Sequence, residues 1–212
     1  MDAIKEGCEE GKLSTSQRQS AIRLIQKKSN LEKINSWRPI LLMNVDTKLF
    51  AKVLAARLRV VCQQIIGEEQ LAYLENNEIR EGHLIINRVI EEARAKNLSG
   101  ILACIDFKSA FLSIRHDFMW KALEKYGVGN NLISMLKILY KNTSSCIMNY
   151  GTTTGYLDLK KGCRQGDSTS AYLFILAVGI LLNAIRKIVD KHKNWEALSL
   201  TISHYSSKMK KN

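Results

Sequence analysis

This sequence of 212 residues lacks a CxxC cysteine pair, a secretory leader and an apolar run long enough to span a bilayer. The five cysteines (positions 8, 62, 104, 146 and 163) form no CxxC pair, which favours reduced thiols in an intracellular protein, cytoplasmic or nuclear, without a zinc site. The N-terminal MDAIKEGCEEGK is charged and lacks the apolar segment of a secretory signal. The longest apolar run, residues 171–182, is too short to span a bilayer, so we expect a buried helix and no membrane partner.

Acidic side chains are also scarce, because 20 Asp and Glu stand against 32 Lys and Arg, for a net charge of +12. This excess favours a polyanionic partner, most simply nucleic acid, although a solvated basic surface is the alternative. No Asp or Glu follows Glu196, and residues 191–212 form a polar, basic tail. The hydrophobic fraction of 46% is enough for a sizeable core and argues against wholesale disorder.

Short apolar runs and amphipathic stretches alternate along the chain. Pro39, the only proline, leads into a strand at residues 40–43, which could pair with a strand at residues 21–26. A hairpin of residues 145–150 and 156–159 is predicted around the sequence GTTTG. Helical periodicity is seen at residues 46–61, 78–95, 116–126, 131–140 and 170–189. Because the strands come largely as hairpins, we predict an α+β fold.

The sequence ILACIDFKSAFL, residues 101–112, has the character of a buried strand that ends on a carboxylate. Asp106 stands at the end of this strand and can be interpreted in two ways. It is either a turn former or helix cap, or a carboxylate that holds a metal ion on a rigid strand end.

A second informative stretch, KKGCRQGD at residues 160–167, places three cations beside two glycines before a long helix. Glycine lets a backbone approach a ligand closely, and a helix N-terminus favours an anion. Gln165 can both donate and accept hydrogen bonds. The stretch lacks the spacing of a Walker loop or of a dinucleotide fingerprint, so it is a weak motif by itself.

The order of these pieces resembles the reverse transcriptase domain of non-LTR (LINE-like) retrotransposons. The similar stretches are LSTSQRQSAIRLIQKK, SWRPILLMNVDTKLFAKVLAARL, GILACIDFKSAF, NYGTTTGYLDLKKGCRQGDSTSAYLF and LLNAIR, which together span roughly residues 10–186. Viral RNA-dependent polymerases and group II intron maturases would share part of this pattern. The series SQR, WRPI and RQGD favours the retrotransposon type.

The resemblance implies a right-handed polymerase with fingers at residues 1–98, a partial palm at residues 99–190, and no thumb. Asp106 would be a catalytic ligand of Mg²⁺, in a two-metal nucleotidyl transfer. The residues expected at the incoming nucleotide or the template are Lys27, Lys28, Arg38, Phe111, Arg164, Gln165 and Gly166. Phe111 would exclude a 2′-hydroxyl by its bulk. Taken singly, Phe111 and Gln165 could equally serve core packing and loop hydrogen bonding.

Several positions depart from the family pattern. Gln26 replaces a proline, Ser109 and Leu112 replace a lysine and an aspartate, and Gly179 stands where a glutamate is usual. The sequence ISHYSSKMKKN would put Ser207 and Lys208 at the positions of the second catalytic aspartate pair. Other changes are Asn76-Asn77 after the region of Gln70, and Ser168, Thr169 and Ala171 in the RQGD motif.

We therefore expect a fragment of a reverse transcriptase that binds an RNA template, a DNA primer and deoxynucleoside triphosphates. It should be inactive alone, because two adjacent metal ions need several carboxylates. The alternative is a non-enzymatic basic remnant that binds RNA or DNA. Oligomeric state cannot be predicted from the sequence.

Overall fold

The computed structural model describes residues 2–27, 30–66, 73, 79–99, 107, 109–149 and 151–191. Helices and strands are interleaved in this part of the chain, which confirms the predicted α+β class. The helices are α1 (Asp2–Glu9), α2 (Thr15–Arg18), α3 (Val45–Ile65), α4 (Ile79–Ala95), α5 (Ala110–Ser113), α6 (His116–Lys125), α7 (Asn130–Tyr140) and α8 (Ser170–Lys191). The strands are β1 (Gln19–Gln26), β2 (Trp37–Met43), β3 (Ser144–Asn149), β4 (Thr152–Thr153) and β5 (Leu157–Asp158).

These strands form one mixed sheet. β1 pairs antiparallel with β2, as predicted, and places Ile22 opposite Leu41. On its other side β1 runs parallel to β3, where the buried hydroxyls of Ser20 and Ser145 are hydrogen bonded to each other. β4 and β5 both pair antiparallel with β3. The sheet therefore joins strands from both sides of the predicted boundary at residue 98, and the division into fingers and palm stays a prediction.

β2 starts earlier than predicted and contains Pro39 as an internal residue. It is an edge strand of the sheet, and the N–H of Leu41 is bonded to the carbonyl of Gln165 outside the sheet. Alternate residues of a strand point their N–H groups the same way, so the nitrogen of Pro39 also faces away from β1. The missing N–H of proline consequently costs no hydrogen bond of the β1–β2 ladder.

The predicted hairpin has a tighter turn than the sequence suggested. Thr152 and Thr153, expected in the connecting loop, form β4 and return directly along β3. Gly151 allows this reversal because its φ is +82°, in the region that favours glycine. Thr154 then continues the contact, since its hydroxyl accepts a hydrogen bond from the N–H of Ile147 at 2.9 Å.

A core of helices supports the sheet and the loops beside it. The predicted helices are confirmed, although α3 is capped by Asn44 rather than Asp46, with the Asn44 side chain accepting from the Asp46 N–H at 3.0 Å. The largest fully buried side chains on α3, α6, α7 and α8 are Leu54, Leu58, Met119, Leu123, Leu136, Leu139, Leu173, Ile175 and Leu176. Burial of each stabilises the fold by about 1.5–3 kcal/mol relative to exposure. Within the described ranges, no helix is long and apolar enough to cross a membrane.

Candidate functional site

Residues 160–169, called the RQGD loop from here on, run between β2 and the short helix α5. On one side, the carbonyl of Gln165 accepts a hydrogen bond of 2.9 Å from the N–H of Leu41 in β2. On the other side, the N–H of Cys163 donates to the carbonyl of Phe111 at 2.7 Å. The structure therefore brings Gln165, Gly166 and Phe111 to one place, beside the strand that carries Arg38.

Gly166 lies against the backbone of β2 at a distance that excludes a side chain. Its φ is +108°, and a Cβ added there would come within 3.0 Å of the carbonyl oxygen of Leu41. A residue with a Cβ would suffer both backbone strain and this close contact. Glycine at this position is thus explained by the docking of the loop on β2, before any ligand is considered.

Gly162 makes a similar approach on the opposite side of the loop. It has φ +89°, and an added Cβ would lie 2.9 Å from the Cα of Leu112. The N–H of Gly162 donates to the carbonyl of Ile114 at 2.7 Å. Its own carbonyl lies 3.0 Å from Nε2 of His116, which must donate because a carbonyl only accepts. Both glycines of the loop therefore serve close backbone packing.

Arg164 is buried, with 5% of its surface exposed, and it is the basic residue at the centre of the loop. Its Nη2 lies 2.8 Å from Oδ2 of Asp167, and the guanidinium carbon lies 4.7 Å from the ring centroid of Tyr140. The Nη2–Oδ2 contact is an ion pair without an aligned hydrogen bond. In this structure the charge of Arg164 is thus balanced within the protein.

The other acceptor of Asp167 holds the turn that leads into α8. Oδ1 accepts from the N–H of Thr169 at 2.9 Å and from its hydroxyl at 2.8 Å. Ser170 completes this network by donating to the carbonyl of Arg164 at 2.7 Å. An Asp followed two residues later by Thr is a local turn signal in the sequence, whereas the role of Tyr140 has no sequence signal.

Gln165 is half-buried and ends in an unpaired acceptor. Its Oε1 is shielded from solvent, and no described residue donates a hydrogen bond to it. A buried acceptor without a partner costs roughly 1–3 kcal/mol relative to a paired one. A side chain placed in this way has the capacity to receive a donor from a ligand.

Phe111 packs onto the core beside the loop. Its ring stacks on Phe174 of α8 with centroids 4.6 Å apart, and Tyr73 approaches its edge at 6.2 Å. Phe111 as a whole is only partly buried. Ser109, two residues before Phe111, has φ +53°, and this left-handed turn starts the helix that carries Phe111.

Two other residues predicted to bind a ligand, Lys27 and Arg38, lie beside β1 and on β2 in a different environment. Lys27 is exposed just beyond β1, and its N–H donates to the carbonyl of Ser36 at 2.7 Å. Arg38 is half-buried on β2, opposite Ile25. The RQGD loop docks on β2 at Leu41, three residues after Arg38. Because a strand rises about 3.3 Å per residue, Arg38 lies about 10 Å from this contact.

Two predicted site residues, Asp106 and Lys28, lie outside the described residues, as does the basic tail after Lys191. The expected proximity of Asp106 to Gln165 is therefore not tested. Among the residues that the structure describes, no three His, Cys, Asp or Glu side chains come together as metal ligands. Asp167, the acid of the RQGD loop, is engaged by Arg164 and Thr169.

Comparison with known proteins identifies the class to which this fold and loop belong. Residues 25–206 match the family described as "Reverse transcriptase (RNA-dependent DNA polymerase)". The match covers most of the chain, and the protein is a member of the reverse transcriptase family.

Individual relatives place the chain among retrotransposon proteins. The "Transposon TX1 uncharacterized 149 kDa protein" of Xenopus laevis is 28% identical over 184 residues, which are 87% of this chain and 14% of that protein. The "Retrovirus-related Pol polyprotein from type-1 retrotransposable element R2" of Popillia japonica is 23% identical over 77% of this chain and 23% of its own length. A type-2 counterpart, R2DM of Drosophila melanogaster, is 23% identical over 82% of this chain and 16% of its own length.

These matches confirm the resemblance to reverse transcriptases of non-LTR retrotransposons. The chain spans less than a quarter of the length of each of these three relatives. What the whole relatives do is consequently not transferred to this chain as a finding.

Proposed function

We propose that the RQGD loop forms part of a site for an incoming deoxynucleoside triphosphate and an RNA template, in a fingers and partial palm fragment of a reverse transcriptase. The observation that carries this proposal is the unpaired Oε1 of Gln165. An amide can donate and accept at once, as the exposed edge of a nucleobase can, so a base is a suitable partner for this side chain.

The loop is held in place at both ends, which supports a binding role. Gly166 fixes it on β2 and Cys163 fixes it on the Phe111 segment. Binding loses less entropy when the groups that contact the ligand are already ordered. The Phe111 ring would lie under the sugar of the nucleotide and exclude a 2′-hydroxyl by its bulk.

The predicted role of Arg164 changes within this proposal. Its guanidinium is buried against Asp167 and Tyr140, so it positions Gln165 and Gly166 rather than contacting phosphate. Lys27, Lys28 and Arg38 remain the residues predicted to contact phosphate groups. The DNA primer and the RNA template remain the predicted partners. Phosphate contacts supply affinity with little sequence preference.

Mg²⁺ is the cofactor that the family resemblance implies, and Asp106 is its predicted ligand. Because Asp106 lies outside the described residues, no part of the proposal depends on the metal. The chain is expected not to extend a primer by itself, since Ser207 and Lys208 stand at the positions expected for aspartates. The alternative function is a basic RNA- or DNA-binding remnant without nucleotide recognition.

Binding of nucleotide to the purified chain with an RNA template and DNA primer would test the proposal. We expect Gln165→Ala to weaken nucleotide affinity about tenfold, because it removes one hydrogen bond to a buried group. Affinity for the RNA–DNA duplex should stay unchanged. Asn131→Ala, which removes an exposed amide on α7, serves as the matched control. Duplex binding that does not respond to nucleotide would favour the remnant instead.

Primer extension addresses activity separately. The chain should give no extension above that of Asp106→Ala. Extension by the chain that is lost in Asp106→Ala would show that another carboxylate completes the metal site. This result would contradict the expected inactivity but not the nucleotide-binding role of Gln165.

A further inference from the structure

The outer face of α3 is aliphatic, although it points away from the core. The exposed fractions of its large side chains are 67% for Val45, 57% for Leu49, 51% for Val53 and 51% for Val60. The opposite face of the same helix is fully buried at Leu54, Leu58 and Cys62. The helix therefore presents two apolar faces, and the described part of the fold covers one of them.

The exposed residues have the spacing of a coiled-coil seam. Leu49, Val53, Ala56 and Val60 are separated by four, three and four residues, and all four are exposed. In heptad terms Val53 and Val60 occupy a positions, while Leu49 and Ala56 occupy d positions. β-Branched residues at a and Leu at d are typical of a parallel two-stranded pairing.

Three of the four e and g positions that flank this seam are basic, and the fourth, Phe50, is buried in the core. Lys52 and Arg59 occupy g positions and Arg57 occupies an e position, while Lys48 extends the positive edge toward the start of the helix. Arg57 also donates to the sulfur of Met135 on α7, at 3.6 Å, so it stands at the border between seam and core. In coiled coils the e and g residues select the partner by charge.

This pattern argues against two occupants. In a pair formed by two copies of this chain, Lys52 would face Arg57 of the other copy in the parallel arrangement, and like charges repel. A nucleic acid would satisfy the lysines but would leave the aliphatic seam in water, because phosphates offer no apolar surface. Burial of that seam, at about 25 cal/mol per Å², needs an apolar partner.

We propose that the outer face of α3 docks an amphipathic α-helix of another polypeptide, with aliphatic residues at its a and d positions and glutamate at its e and g positions. The proposal is independent of the nucleotide site, because it rests on α3 alone. It predicts a heterotypic contact in which the seam contributes affinity and the cations contribute selectivity.

A synthetic 21-residue helix with Leu and Val in the seam and Glu at e and g is a suitable probe. Its binding to the full chain, measured by fluorescence anisotropy, should weaken at least tenfold in Leu49→Glu/Val53→Glu. In Lys48→Glu/Lys52→Glu the loss should be several-fold, and affinity for a matched probe with Lys at e and g should rise. Lys5→Glu/Lys12→Glu, with the same change of net charge on exposed residues elsewhere, should leave binding unchanged.

Four outcomes would overturn the proposal. The probe could bind no better than a scrambled peptide of equal composition, or binding could survive the seam substitutions. The chain could instead self-associate in sedimentation and become monomeric in Leu49→Glu/Val53→Glu, which would assign the face to a second copy. Finally, an RNA–DNA duplex could compete fully with the probe, and this would assign the face to nucleic acid. Circular dichroism and thermal unfolding would verify that each variant is folded.

Discussion

The RQGD loop and the β1–β2 pair each carry a basic residue predicted to bind a ligand, but Arg164 and Lys27 lie in opposite environments. Arg164 in the loop is 5% exposed and balanced by Asp167, whereas Lys27 at the end of β1 is exposed. A buried cation without its partner is strongly destabilising, while an exposed one is available to phosphate. The same charge is therefore compensated inside the protein in one region and exposed to solvent in the other.

This comparison predicts that the largest effect comes from the buried pair. Asp167→Ala should lower the free energy of unfolding by about 3–5 kcal/mol, because it leaves the Arg164 charge buried and uncompensated. It also removes the acceptor of the Thr169 N–H and hydroxyl. Urea denaturation would measure the change.

The chain offers a matched control in a second arginine–aspartate pair. Nη2 of Arg115 lies 2.7 Å from Oδ2 of Asp117, but the two side chains are 75% and 54% exposed. Asp117→Ala should therefore affect stability far less, since water replaces the lost partner. Equal losses in the two variants would contradict the distinction between a buried and a solvated cation.

A smaller effect is expected from the contact that joins the two regions. Gly166→Ala should destabilise the protein by about 1–3 kcal/mol, because an L-residue at φ +108° is strained and its Cβ meets the carbonyl of Leu41. Gly129→Ala is the control, since Gly129 has φ −58° and open space around it. Similar stability of the two variants in urea would mean that the loop is not held rigidly on β2.

The two regions also differ in how far sequence could predict them. Periodicity was sufficient for the helices and for the β1–β2 pair, since both depend on nearby residues. The parallel contact of β1 with β3 was missed because it joins Ser20 to Ser145 across most of the chain. Local pattern cannot specify such a pairing.

For the site, the sequence identified the RQGD loop but not the burial of Arg164. That burial depends on Tyr140, which is distant in sequence and meets Arg164 only in the folded chain, whereas Asp167 is a local partner three residues away. Phe111 was expected beside the nucleotide, and its stacking on Phe174 shows that a predicted binding residue can also belong to the core. The position of Asp106 relative to Gln165 stays a prediction.

The cations beside β1 and on β2 should influence nucleic-acid binding rather than stability. Lys27→Ala and Arg38→Ala should each reduce the slope of log affinity against log salt by about 0.7–0.9, the value for one lost phosphate contact. Affinity for an RNA template with a DNA primer would be measured from low to moderate salt. Lys125→Ala, which removes an exposed lysine at the end of α6, is the control. If this variant reduced the slope as much as Lys27→Ala and Arg38→Ala, the effect would reflect overall charge rather than a specific phosphate contact.

The smallest effect concerns His116, which clamps the RQGD loop through the carbonyl of Gly162. Partial burial lowers the pKa of His116 below its ordinary value of 6.5, although its hydrogen bond to Gly162 opposes the shift. Arg164 also lowers this pKa, whereas Asp117 raises it. Protonation is therefore easier in the unfolded chain than in the folded one.

The sign of the pH dependence follows from that depressed pKa. The stability contributed by neutral His116 is fully present above about pH 6.5 and is lost as the pH falls through the lower folded pKa. The free energy of unfolding should consequently decrease modestly between pH 7.5 and pH 5.5, since the ring is only partly shielded from water. In His116→Gln, which retains an amide donor for the Gly162 carbonyl, this decrease should be smaller. If urea denaturation showed the same pH dependence for this variant and the unsubstituted chain, His116 would bind a proton equally well in the folded and unfolded states.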